Sequence, residues 1–172
     1  MTRPTPPPLV PWAGLALAAA SAAALALAFA GQYGFDLQPC VLCVWQRWPH
    51  GAAILLGLAA WALRGRPAAS VAALLLAVVA ELATGGIGVF HVGVEQGWWQ
   101  GTAECGSTTA ASDLAALKAQ ILNQPIVRCD EVAFAVFGIS MAGWNALLAA
   151  GLTGLGIGAV VEDSRQAKED AA

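Results

Sequence analysis

Four cysteines carry most of the chemistry open to this sequence: Cys40 and Cys43, written as a C-x-x-C within QPCVLCVWQR, and Cys105 and Cys129 in a long polar stretch. Two residues between cysteines close a small, strained ring on oxidation, and strained or exposed bridges have high potentials and exchange readily. A helix starting beside the motif adds partial positive charge, which lowers a thiol's pKa and makes it a better leaving group. Arg47 follows Cys43 by one helical turn on the same face. Its guanidinium can stabilise a Cys43 thiolate, and equally an anionic oxygen on a bound ligand. Two other uses of four cysteines compete with a redox centre. A zinc site needs a ligand set, but the strong zinc pattern pairs two C-x-x-C knuckles, and Cys105/Cys129 is not one. Two inert structural bridges would suit a secreted chain, yet a protein anchored in a membrane gains little from stapling. A zinc-binding membrane module and a non-catalytic membrane scaffold with two structural disulfides are therefore the alternatives to redox chemistry.

The elements that position these residues follow from composition. Of 172 residues, 58% are apolar and only 11% charged, and the mean hydropathy is +0.66. A soluble domain carries about 25% charged residues, so this chain is solvated by lipid. A net charge of −3 with eight scattered Lys and Arg leaves no footprint for nucleic acid. A bilayer core takes about 20 helical residues, and four apolar runs reach that length: 12–30, 42–63, 68–90 and 132–161. The expected fold is an all-α membrane protein, a four-transmembrane-helix bundle. A Pro-rich leader spans 1–11, a tail covers 162–172, and the connections fall at 31–41 and 91–131. Cleavage after a signal peptide ending at Ala30 is the alternative for the first run, but that run is longer than a usual signal core.

Cations beside membrane spans are retained in the cytoplasm. Arg3, Arg64, Arg66, Arg165 and Lys168 fall on one side, and Arg47, Lys118 and Arg128 on the other, which places both termini inside. Both connections then face outward, and with them all four cysteines. The outer space of a bacterium is oxidising, so disulfides are the default state there. Within the second connection, Ser112 as an N-cap and an apolar face of Leu114, Leu117 and Ile121 predict a short interfacial helix. A bridge between Cys105 and Cys129 would restrain this loop while leaving it able to meet another protein. No G-x-G-x-x-G and no C-x-x-C-H occurs, so flavin, nucleotide and haem motifs are missing from the sequence. Such an oxidising centre calls for an electron sink of still higher potential, and a lipid-soluble acceptor entering sideways is the economical choice.

QPCVLCVWQR at 38–47, VFHVGVEQGWW at 89–99, Arg128-Cys129-Asp130 and FGISMAGWN at 137–145 together resemble the disulfide bond formation protein B (DsbB) family of bacterial inner-membrane quinone reductases. The resemblance implies a quinone-dependent thiol-disulfide oxidoreductase with its redox cysteines on the periplasmic side. It implies that a periplasmic thioredoxin-fold dithiol oxidase (DsbA-like) attacks Cys105, with Cys129 resolving. Electrons then pass to Cys40 and Cys43, Cys40 pairing transiently with Cys129 and Cys43 meeting the quinone. Ubiquinone or menaquinone is the implied acceptor, with no metal, flavin or haem. Arg47, Cys43 and His91 are the implied quinone-binding residues, His91 as hydrogen-bond donor or proton carrier for the ring. Gln46, where some relatives carry Glu, and Ala142, where many carry Pro, depart from the family pattern without touching a sulfur.

Three polar groups remain. Glu81 lies deep inside a span, where an ionisable group is costly; a protonated carboxyl bonding a neighbouring helix is the simpler reading, ahead of a proton relay. His50 reads as a snorkelling residue that could also line the inner wall of the site, and Trp98 and Trp99 as an aromatic belt. Pro49 frees the Trp45 carbonyl and predicts a kink below Arg47.

Overall fold

A computed structural model describes residues 8–105, 118 and 127–171. Four helices, α1 (Val10–Gly34), α2 (Val41–Ala62), α3 (Pro67–Glu95) and α4 (Met141–Glu169), and one small hairpin, β1 (Ala135–Val136) with β2 (Ile139–Ser140), make up the regular structure of the described residues. Neighbours in sequence pack side by side, and α1 also reaches α3 and α4, which closes the four helices into a bundle. Three of them, α1, α3 and α4, are long and apolar enough to cross a membrane. The protein is a helical, multi-pass membrane protein.

The bundle has two unlike ends. At the end that holds the α1 N-terminus, Leu17, Leu74, Val78, Ala60 and Leu152 form an apolar core. Small residues set the helix spacing there: a Cβ on Gly14 would come within 2.7 Å of the Ala60 Cβ and 2.8 Å of the Gly57 carbonyl oxygen. Hydrocarbon offers no hydrophobic drive between helices, so close packing of such residues is what joins α1 to α2. Asp163 of α4 closes this end by accepting from the Leu9 and Val10 N–H groups at 2.8 and 3.0 Å, which satisfies donors that a helix start leaves open. At the other end the core consists of Cys40, Leu42, Val94, Cys105 and Cys129.

Helix bounds depart from the sequence reading in instructive places. α1 begins at Val10, inside the expected leader, because Pro11 sits in the first turn, where its missing N–H is harmless. α3 continues to Glu95, so His91 is helical rather than the start of a loop. The fourth helix does not begin at Val132. Phe137 and Gly138 adopt left-handed conformations (φ 52° and 77°) that turn the preceding segment into the hairpin. Helix α4 starts only after Ser140, whose Oγ accepts from the Gly143 N–H at 3.1 Å. It runs on to Glu169, so most of the expected tail at 162–172 is helical. The interfacial helix expected after Ser112 lies outside the described residues, as do residues 1–7 of the leader.

Candidate functional site

Cys40 is the N-cap of α2: its Sγ accepts from the Cys43 N–H at 3.3 Å and lies 3.0 Å from the Cys43 Sγ. The x-x spacing is what lets the first sulfur reach back over the first turn. Both cysteines are thiols here. His91 of α3 approaches from the side, with Nε2 at 3.5 Å from Cys40 Sγ.

A string of amides decides which imidazole nitrogen carries the proton. Asn145 Nδ2 donates to Gln46 Oε1 at 2.7 Å, which turns the Gln46 amino group to Leu42 O and to His91 Nδ1, both at 3.2 Å. Nδ1 is thus the acceptor, and Nε2–H points at the sulfur. Glu95 lies behind it, with Oε1 3.8 Å from Nε2 and Oε2 accepting from Ser140 Oγ at 2.5 Å. The Cys40 thiol is lowered from 9.0 to about 4, first by the hydrogen bond with Cys43, against the opposing effect of burial, and then by His91. A thiolate at a helix N-terminus with an N–H donor beside it is a good leaving group and nucleophile.

Arg47 lies on the cavity face of α2, as the spacing predicts, but its hydrogen bond goes to Gln32 Oε1 of α1 at 2.7 Å, and its guanidinium lies 4.9 Å over the Phe29 ring. These two α1 residues hold it in place. A cavity of about 480 Å³ opens beside it, walled by Ala20, Ala24 and Leu27 of α1 and Met141 and Leu148 of α4, with Cys40, Cys43, Arg47, His50 and His91 on its polar side. Mostly apolar walls with a few convergent polar groups are what a ring with two carbonyl oxygens requires. His50 does not snorkel: it is 4% exposed, it lines this cavity, and its Nε2 bonds Asn145 Oδ1 at 2.7 Å. The residues present fit a quinone.

Cys105 and Cys129 form a disulfide across 24 residues. Cys129 is 0% and Cys105 5% exposed, and the bridge is packed into the same buried cluster as Cys40, with Cys43 and Phe90 against it. Thr102 Oγ1 donates to Cys105 Sγ at 3.4 Å. Both cysteine pairs, 40/43 and 105/129, therefore share one core, although they are far apart in sequence. Trp99 folds back on α3, stacked on Phe90 and donating to the Phe90 carbonyl at 2.8 Å, so it buttresses this cluster, while both Trp98 and Trp99 keep an exposed face.

The Cys40, Cys43 and His91 donor atoms lie within 4.8 Å of one another, a set that could hold a metal ion. A metal there would need the Nε2 lone pair, and the Asn145–Gln46–Nδ1 order gives Nε2 a proton instead. Gln46, Asn145, Gln32 and Glu95 were not among the residues that sequence reasoning assigned to the site. Glu95 could have been found from its spacing of one turn after His91, and Gln46 and Asn145 from being uncharged polar residues in apolar runs.

A family model described as disulfide bond formation protein DsbB matches residues 11–159. An uncharacterized protein of Rickettsia prowazekii (strain Madrid E) is 31% identical over 124 residues, which is 70% of each chain. No solved structure matches.

Proposed function

The chain belongs to the DsbB family of disulfide-forming membrane oxidoreductases, and from that premise we propose that it oxidises a periplasmic DsbA-like dithiol protein and passes the electrons to membrane quinone. In this reading α2, 22 residues long and about 33 Å from end to end, is the fourth crossing. Both termini are cytoplasmic, and the cysteine end of the bundle faces the periplasm.

The partner's thiolate attacks Cys105, the less enclosed sulfur of the bridge, and the Cys105–Cys129 bond breaks with Cys129 leaving as thiolate. The partner's second thiol displaces Cys105, so the partner is oxidised and the pair reduced. Cys129 then attacks Cys40 of an oxidised Cys40–Cys43 pair. The Cys40–Cys129 bond forms as Cys43 leaves, and Cys105 resolves it, releasing Cys40. Two electrons now rest on Cys40 and Cys43, and the outer bridge is closed again. That is the redox state described above, with 105–129 bridged and 40 and 43 free.

A quinone bound in the cavity would supply a two-electron, two-proton sink. Cys43, Arg47 and His91 would hold it: Cys43 presents sulfur to the cavity, Arg47 places positive charge beside a developing anion, and His91 keeps a proton at Nε2. Ubiquinone and menaquinone both suit an apolar cavity with these donors. The observation that carries the reading is the Cys40 sulfur itself, which caps a helix, accepts from His91, lines the cavity and packs in one cluster with the second bridge.

The test is quinone-dependent oxidation of a reduced thioredoxin-fold protein by the purified chain. Cys43→Ser is expected to lower turnover by roughly 10³-fold or more. Full turnover in that variant contradicts the mechanism.

A further inference from the structure

Glu81 is fully buried in α3, and two other helices turn polar groups towards it. Ser21 of α1 donates to Oε1 at 2.6 Å, as a hydrogen-bonded carboxyl between helices requires. His50 of α2 brings Nδ1 to 3.8 Å from the same oxygen. Asn145 of α4 holds the far side of that imidazole. Because Asn145 Nδ2 donates to Gln46 Oε1 and to Thr84, its Oδ1 must be the acceptor, and His50 Nε2 carries a hydrogen.

His50 Nδ1 is then the nitrogen that can gain or lose a proton. It faces Glu81, and among the described residues neither it nor Glu81 Oε2 has a hydrogen-bond partner. One dissociable proton fits between the two groups. With it the pair is neutral overall, and without it a bare carboxylate would stand inside the bilayer, which is costly. At 3.8 Å an ion pair is poorly compensated in this medium, which disfavours the charged arrangement of the pair. Among charged or titratable groups, Arg47 on α2 and His91 on α3 line the same cavity as His50, with Glu131 and Arg128; α1 and α4 contribute Ser21 and Asn145, which do not titrate.

We propose that the Glu81–His50 pair is a proton store for the inner end of the cavity, releasing one proton through His50 as the acceptor is reduced. The inference rests on the quinone reading given above. His50 and Asn145 both line the cavity, so their Nε2–H···Oδ1 bond lies in its wall. An imidazole passes a proton by taking one at Nδ1 while releasing another from Nε2. With Cys40 held as thiolate, closing the Cys40–Cys43 disulfide releases two electrons and the one proton of Cys43, whereas reducing a quinone to a hydroquinone takes up two of each. The two oxygens are on opposite sides of the ring and call for two donors. His91 delivers one thiol proton at the sulfur end; His50 delivers the other proton, replaced at Nδ1 from Glu81. The pair is then refilled from solvent by one proton, the equivalent of the one Cys40 gave up on ionising.

Infrared spectra of the full-length chain without added quinone test the store directly. A carboxylic C=O band is expected that moves in D2O, disappears in Glu81→Gln and shifts in His50→Gln. A wild-type chain lacking such a band overturns the proposal, whether or not the variants fold. With a short-chain ubiquinone analogue, Glu81→Gln is expected to lower kcat about 10²-fold, with KM little changed and a larger solvent isotope effect. Wild-type kcat in Glu81→Gln, with the band gone, also overturns it. Cys43→Ser, run alongside, keeps the two readings apart: turnover retained there defeats the quinone reading, whereas turnover lost there but intact in Glu81→Gln defeats the proton store alone.

Discussion

The two cysteine pairs share one buried cluster yet are controlled in different ways. Cys40 is tuned electrically: a helix N-terminus, the neighbouring Cys43 and a proton-bearing His91 all favour its thiolate, against the opposing effect of burial. Among the described residues, the Cys105–Cys129 bridge has one side-chain donor to a sulfur, Thr102, and Val94, Gly101 and Leu42 pack against it. The relay proposed above would need that asymmetry. The inner pair must release electrons readily, so its sulfur is held as a good nucleophile and leaving group. The outer bridge must stay closed until the right partner arrives, so it is shielded.

Perturbing the enclosure gives the larger of two expected effects. A Cβ at residue 101 would meet the Cys105 Cβ at 2.8 Å and its Sγ at 3.1 Å. Gly101→Ala should therefore destabilise the outer cluster by about 1–3 kcal/mol and speed reduction of the bridge by a small dithiol, followed by thiol counting. Cys40 alkylation should hardly change. Equal effects on both pairs would dissolve the distinction.

Perturbing the electrical control gives the smaller effect. Alkylation requires thiolate, and a thiol held near pKa 4 is already ionised at neutral pH, so the wild-type rate should be flat from about pH 6 upward and fall only in acid. In His91→Leu the pKa rises, because the N–H donor is lost while the Cys43 hydrogen bond remains. The profile should move to higher pH by about one unit, a tenfold loss of rate below the midpoint. An unmoved profile would remove His91 from the account of Cys40.

The difference between the pairs also governs what could be read from sequence. The C-x-x-C beside Arg47 is local, and local spacing was enough to place Cys40, Cys43 and Arg47 on one face of a helix. Long apolar runs likewise gave the helices. What holds Arg47, namely Gln32 and Phe29, comes from another helix and has no signal in the string around the motif. The start of α4 was misplaced because Val132–Ser140 contains no charge, and an uncharged apolar run reads the same in a hairpin as in a helix. His50 read as snorkelling because its partner, Asn145, is 95 residues away. Burial of the second bridge against the first pair is a property of the packed bundle; the resemblance implied only a transient Cys40–Cys129 link.

Central to the proposed function is a disulfide exchange between the two pairs inside one molecule. A chain carrying Cys43→Ser and Cys105→Ser keeps Cys40 and Cys129 alone. On mild oxidation, mass spectrometry of the monomer should find a Cys40–Cys129 disulfide in most molecules. Free thiols throughout, or links only between separate molecules, would contradict the relay.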